Sequence, residues 1–216
     1  MKIISKDIFS IIMVITIGHL QSCMAPVFSD LQSARLVGKK NVELTPSYTT
    51  VGYTEDGESD GVQNHIGAQL AVGLSDNVDL RFRFEHLWEK EYADNNEQVI
   101  GLGPKIGLVK DRIAAYLPVG AALSDISTFQ FHPTLLFTLP VVHDQIDFNP
   151  SAKYLISFCE DCDNFLAFNL GIALSQDLSK WAFRAEYGFL INPGESGSYR
   201  QFTFGFSFPL NKRTKP

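Results

Sequence analysis

A histidine that shares a site with a carboxylate and a hydroxyl can act as a general base toward that hydroxyl. His65, His132, Glu85, Glu186 and Ser157 are the side chains of this chain that could be combined in that way. The same residue types also serve as hydrogen-bond partners inside a polar interior, so their spacing alone assigns no catalytic residue. The stretch "EDGESDG" brings Glu55, Asp56, Glu58 and Asp60 close together. Dense hard oxygen ligands suit Ca²⁺, although this spacing matches no standard calcium loop. Cys159 and Cys162 stand as C-x-x-C in "FCEDCDN". No second such pair and no neighbouring histidine completes a zinc set, so a disulfide closing a tight loop is expected. "GLGP" at 101–104 lacks the Lys-Ser/Thr and the following helix of a phosphate loop. No cofactor is expected.

These residues must be positioned by strands. From about residue 41 onward the recurring pattern is alternation with period two, not helical spacing. In "VDLRFRFEHLW" Asp79, Arg81, Arg83 and Glu85 take one face while Leu80, Phe82 and Phe84 take the other. In "RQFTFGFSFPL" Phe202, Phe204, Phe206 and Phe208 share a face. Turn signals divide 41–210 into ten segments, near 41–54, 62–74, 78–90, 97–109, 112–120, 128–139, 145–158, 164–175, 180–191 and 198–210. The connections alternate. Those after even segments are short; those after odd segments, such as 55–61 and 89–97, are mostly longer and acidic. That asymmetry is the pattern of a transmembrane β-barrel.

Alternation does not say which face is inside. Side-chain size does. Gly101, Gly103, Lys105 and Gly107 oppose Ile100, Leu102, Pro104, Ile106 and Leu108. A ten-stranded barrel has little interior room, so the glycine face belongs inside and the bulky face meets lipid. The inward set then includes Glu43, Asp79, Glu85, Asp147 and Glu186 against Arg81, Arg83, Lys105, Lys153 and Arg184. Acids and bases balance, as a lumen shielded from bulk water requires. The lumen is expected to be mostly filled by these ion pairs. Trp88, Phe129, Phe131, Phe158 and Phe189 fall at one end of the apolar face, and Phe148, Trp181 and Phe208 at the other, as interfacial belts would.

The N-terminal 22 residues read as a signal peptide. Lys2 and Lys6 precede an apolar run from Ile8 to Gly18, too short to span a bilayer as a helix. "LQSC" at 20–23 resembles a bacterial lipobox; the resemblance implies cleavage before Cys23 and lipid on its sulfur. Residues 23–40, "CMAPVFSDLQSARLVGKK", show no periodicity and are expected to form a periplasmic tether. Residues 211–216 form a basic tail. The net charge of −6 leaves no basic footprint for nucleic acid.

Residues 41–210 resemble the small outer-membrane β-barrel proteins of Gram-negative bacteria, by pattern and topology more than by an exact motif. The resemblance implies an all-β fold, a single closed antiparallel up-and-down barrel of about ten strands, with both termini periplasmic. It also implies outer-membrane lipid and lipopolysaccharide as surroundings, and acidic loops that could meet a protein or small-molecule partner. A structural, surface or narrow-pore role is expected. Two alternatives are an enzyme acting on lipid A or peptides, and a lipid-anchored soluble barrel with its faces exchanged and a small apolar ligand inside.

Overall fold

The computed structural model describes residues 25–90, 96–123, 128–159, 162–194 and 196–211. The signal peptide, the lipobox cysteine Cys23 and residues 212–216 of the basic tail lie outside the described residues. The described chain is all β. Its strands are β1 (Val42–Glu55), β2 (Glu58–Gly73), β3 (Val78–Glu89), β4 (Asn96–Val109), β5 (Ile113–Tyr116), β6 (Val119–Ala122), β7 (Thr128–Phe131), β8 (Thr134–Phe137), β9 (Leu139–Val142), β10 (Ile146–Ser157), β11 (Phe165–Leu174), β12 (Ala182–Ile191) and β13 (Ser198–Pro209).

Ten of these close a ring: β1 to β5, then β8 and β10 to β13, with β13 returning to β1 and every pairing antiparallel. The short strands β6, β7 and β9 lie off that path and prolong it between β4 and β10. The segments expected at 112–120 and 128–139 are therefore broken ones. They break at Leu117–Pro118 and His132–Pro133, where a proline removes a ladder donor, and the second breaks again at Thr138. Backbone bonds still cross the gaps, from Leu117 N to Pro104 O and from His132 N to Pro118 O. Closure leaves the ring no open edge in hydrocarbon, where an unpaired amide would cost several kcal/mol.

Register fixes the faces. Asp79 stands opposite Gly73 and Lys105, and Arg81 opposite Ala71 and Gly103. Asp79, Arg81, Glu85 and Lys105 are buried, while Phe82, Phe84, Leu102 and Ile66 are exposed. The last strand repeats the division, with Phe202, Phe204, Phe206 and Phe208 out and Gln201, Thr203 and Ser207 in. Thr49 and Thr203 bond across the inner face at 2.8 Å, as do Thr45 and Ser207. An apolar exterior around a polar, ionic interior is stable only with lipid outside, which makes this a transmembrane barrel. The soluble alternative required the opposite arrangement.

One connection differs from expectation. The acidic stretch 55–61 is not a long loop. Glu55 pairs directly with Glu58, and the turn is two residues, Asp56 (φ 50°) and Gly57 (φ 88°). Asp-Gly readily takes the two positive φ angles of a hairpin turn matched to strand twist. Short connections follow Gly73, Val109, Val142 and Leu174 at the opposite end of the barrel. That end is called the short-turn mouth below, and the end carrying Asp56 the long-loop mouth.

The larger departure concerns residues 25–40. The segment expected as a tether outside the ring runs inside it. Ala25, Val27, Phe28, Ser29, Asp30, Leu31, Gln32, Ser33, Ala34 and Val37 are all buried. This segment, residues 25–37, is called the plug below; the chain then turns at Gly38 (φ 81°) and Lys40 (φ 65°) and enters β1. A Cβ on Gly73 would stand 1.8 Å from the Gly38 carbonyl oxygen, so that turn needs glycine beneath it.

Candidate functional site: a lumen occupied by the N-terminal segment

The inward charges hold a peptide segment that pairs with no strand. A chain without a sheet partner leaves its amides and carbonyls unpaired, and burying them unpaired would be costly. Here long side chains from the ring supply the partners. Glu186 on β12 accepts from Asp30 N at 2.8 Å and from Leu31 N at 2.7 Å, one carboxylate oxygen each. Lys105 on β4 donates to Ser33 O at 2.6 Å and to Arg35 O at 2.7 Å. Arg83 on β3 donates to Ser29 O at 2.6 Å, Gln69 on β2 to Asp30 O at 2.9 Å, and Asn169 on β11 to Phe28 O at 2.9 Å. Thr138 accepts from Ala34 N at 2.7 Å and Asp79 from Val37 N at 3.0 Å. At the other end Gln63 makes a two-way clamp, accepting from Ala25 N at 2.9 Å and donating to Ala25 O at 2.8 Å.

Two plug side chains complete the electrostatics. Asp30 lies 2.8 Å from the Lys153 ammonium, with both groups almost fully buried. Ser151 and Asn169 donate to its other oxygen at 2.5 and 2.9 Å. Arg35 grips Asp147 with two bonds of 2.7 and 3.0 Å, the bidentate geometry that favours Arg over Lys. The expected ion network of Glu43, Asp79, Arg81, Arg83, Glu85, Lys105, Asp147, Lys153, Arg184 and Glu186 thus lies in the lumen, but its pairing differs from expectation. Arg83–Glu85 at 2.9 Å and Arg81–Asp79 at 3.6 Å stay within the ring. Lys105, Lys153, Asp147 and Glu186 turn to the plug. Sequence reasoning missed Asp30 and Arg35 because the segment carrying them has no period.

Apolar contacts close the long-loop end. Phe28 is completely buried among Ala25, Val51, Leu155, Ala167 and Leu190, with Phe165 and Tyr199 beside them. A second cluster of Ala34, Ala114, Tyr116 and Leu136 lies toward the short turns. At the short-turn mouth a cavity of about 150 Å³ is lined by residues including Arg35, Glu43, Asp111, Asp147 and Arg184. That is room for a few waters.

The catalytic candidates are not assembled into a reacting set. His132 Nε2 bonds Gln130 Oε1 at 2.9 Å, and Gln130 Nε2 reaches Ser157 Oγ at 3.3 Å, so an amide stands between the histidine and the hydroxyl. His65 is fully buried with Nε2 on Gln63 at 2.8 Å. Glu85 is engaged by Arg83, and Glu186 by the plug backbone. Glu55, Asp56, Glu58 and Asp60 spread along the two arms and turn of a hairpin. Among the described residues no three His, Cys, Asp or Glu side chains gather as metal ligands would. Cys159 and Cys162 form a disulfide with their Cα atoms 5.4 Å apart. On the lipid face His86 lies beside Trp88, ring centroids 5.9 Å apart, and Tyr48 is 6.3 Å from the same indole.

No protein-family model and no curated protein matches the sequence. Solved structures do resemble it. The translocator domain of autotransporter NalP from Neisseria meningitidis aligns over 79% of this chain and 89% of its own, at 8% identity and a TM-score of 0.47. The COG4313 outer membrane channel from Pseudomonas putida F1 aligns over 85% and 100%, at 6% identity and a TM-score of 0.47. Ail, the attachment invasion locus protein of Yersinia pestis, aligns over 80% and 99%, at 9% identity and a TM-score of 0.37. The fold of this chain is that of a closed, antiparallel membrane barrel.

Proposed function

We propose that this chain is an exported outer-membrane barrel with a surface or structural role, sealed by its own N-terminal segment. The observation that carries this reading is the occupied lumen. Residues 25–37 fill the path that a solute would take, and ring side chains bind them along its length. A narrow pore would instead leave polar groups facing water. Export is supported by the Ile8–Gly18 apolar run and lipidation by "LQSC" at 20–23. On this reading the short turns face the periplasm, and the apolar belt contacts lipid and lipopolysaccharide.

Planar-bilayer recording on the folded full-length protein tests the proposal. The expected result is insertion, seen as heat-modifiable gel mobility, with no steady conductance in salt. A stable ohmic channel from the unmodified protein would overturn it.

A further inference from the structure

We infer that the barrel carries its own N-terminal end through the lumen and presents it at the long-loop mouth, on the opposite side of the membrane from the short turns where β1 begins. The inference rests on the membrane-barrel reading. It does not depend on whether Cys23 carries lipid.

The direction of the plug is fixed by what each residue touches. Ala25 is clamped by Gln63, which pairs with Val51 and Glu89 near the Asp56–Gly57 hairpin. Phe28 packs on Leu155, Ala167 and Leu190, all within two residues of strand ends at the long-loop mouth. Asp30 sits at mid-depth, where Glu186 faces Gly171 and Thr203. Val37 reaches Asp79, one residue from the start of β3, and Lys40 N bonds Gly73 O at 2.9 Å, both at the short-turn mouth. The contacts therefore progress from one mouth to the other in sequence order. The backbone turns at Leu31 (φ 50°), so its reach is shorter than the roughly 40 Å of twelve fully extended residue steps, and the contacts at its two ends still lie at opposite mouths.

The chain consequently crosses the membrane once inside the ring before it enters the ring. Its two described ends, Ala25 and Asn211, lie at opposite mouths. Asn211 is held at the short-turn end, donating to Lys40 O at 2.7 Å and accepting from Val42 N at 2.9 Å. The expectation that both termini share the short-turn side does not follow from this path. Any group carried two residues upstream of Ala25 is tied to it by at most about 7 Å of chain. An acyl group at that distance would be offered to the leaflet on the long-loop side. The barrel would then act as a display device, a conduit that sets its own N-terminal attachment beside its surface loops.

Labelling of intact cells with a membrane-impermeant maleimide tests the side. One free cysteine at a time is introduced into the full chain, with Cys23→Ser as background and Cys159 and Cys162 kept in their disulfide: Pro26→Cys in the plug, Glu58→Cys at the hairpin and Lys110→Cys in a short turn. Pro26 is half-buried, and the other two positions are exposed. Pro26→Cys is expected to label with Glu58→Cys on intact cells, and Lys110→Cys only after lysis. Pro26→Cys labelling together with Lys110→Cys and apart from Glu58→Cys would overturn the inference. Because half-burial can slow a thiol, a second variant carries a hydrophilic epitope between Met24 and Ala25. Antibody must reach it on intact cells; an epitope reached only after lysis would also overturn the inference. If Lys110→Cys labels outside and Glu58→Cys inside, the proposed orientation fails, while the inference stands provided Pro26→Cys still follows Glu58→Cys. A soluble protein with all three positions labelled would sink both readings.

Discussion

Asp30 shows what a single residue does in this lumen. Its carboxylate accepts from three ring groups: the Lys153 ammonium, the Ser151 hydroxyl and the Asn169 amide. Lys153 also donates to Phe28 O at 3.1 Å and Ser29 O at 3.2 Å, so plug backbone and plug carboxylate hold it together. Removing the charge by Asp30→Asn leaves a buried cation uncompensated and replaces one acceptor with a donor. We expect a loss of about 3 kcal/mol, the lower end for a broken buried pair because the carbonyl bonds remain. The readout is the temperature at which unboiled protein changes mobility in SDS, which should fall. Adding Lys153→Met removes the stranded charge and should recover most of the loss. A single variant as heat-resistant as the parent would show that water, not Asp30, balances Lys153.

At the scale of elements, the plug and the ring fit where glycines remove bulk. Gly73 at the end of β2 lies under the Gly38 turn, where a Cβ would meet backbone that cannot move aside as a flexible side chain would. Gly205 on β13 has a Cβ direction 2.7 Å from Leu31 Cδ2 and 2.4 Å from the Pro46 carbonyl oxygen. Gly73→Ala should therefore cost about 2 kcal/mol, in the range for overpacking a filled site. Gly101→Ala is the matched control. Its Cβ would meet nothing nearer than 3.8 Å, and its effect should stay within about 0.5 kcal/mol. Equal loss in both variants, measured by the same mobility transition, would mean that the close approach of the plug turn to Gly73 does not set the cost. The two-residue Asp56–Gly57 hairpin belongs at this scale too, because it converts an acidic loop into paired strand and disperses its carboxylates.

At the scale of the molecule, the plug is a ligand that is already attached. Binding a free extended peptide would cost several kcal/mol of lost translational and rotational freedom. The four residues Gly38 to Asn41 between plug and β1 reduce that cost to a short intramolecular closure, with a high effective concentration. Retention in the membrane should then depend on the ring and not on lipid. Cys23→Ser protein is expected to stay in the outer-membrane fraction and to keep its heat-shifted mobility. Release into the soluble fraction without a shift would contradict the lipid-facing exterior.

The sequence determined the ring. Period-two alternation, glycines opposite bulky apolar residues and balanced inward charges are local patterns, readable because successive strand residues must face opposite sides. The strand breaks were half legible. Pro118 and Pro133 are visible in the sequence, but backbone bonds across neighbours decide whether a proline interrupts a strand or ends it. What fills the lumen was decided only by tertiary structure. Residues 25–37 have no periodicity because their partners surround them on all sides, from Gln63 and Lys105 to Lys153 and Glu186. An extended chain inside a ring has no exposed face, so no alternation can mark it. Asp30 reaches Glu186 across 156 residues of sequence, a contact that exists only once the barrel has closed around it.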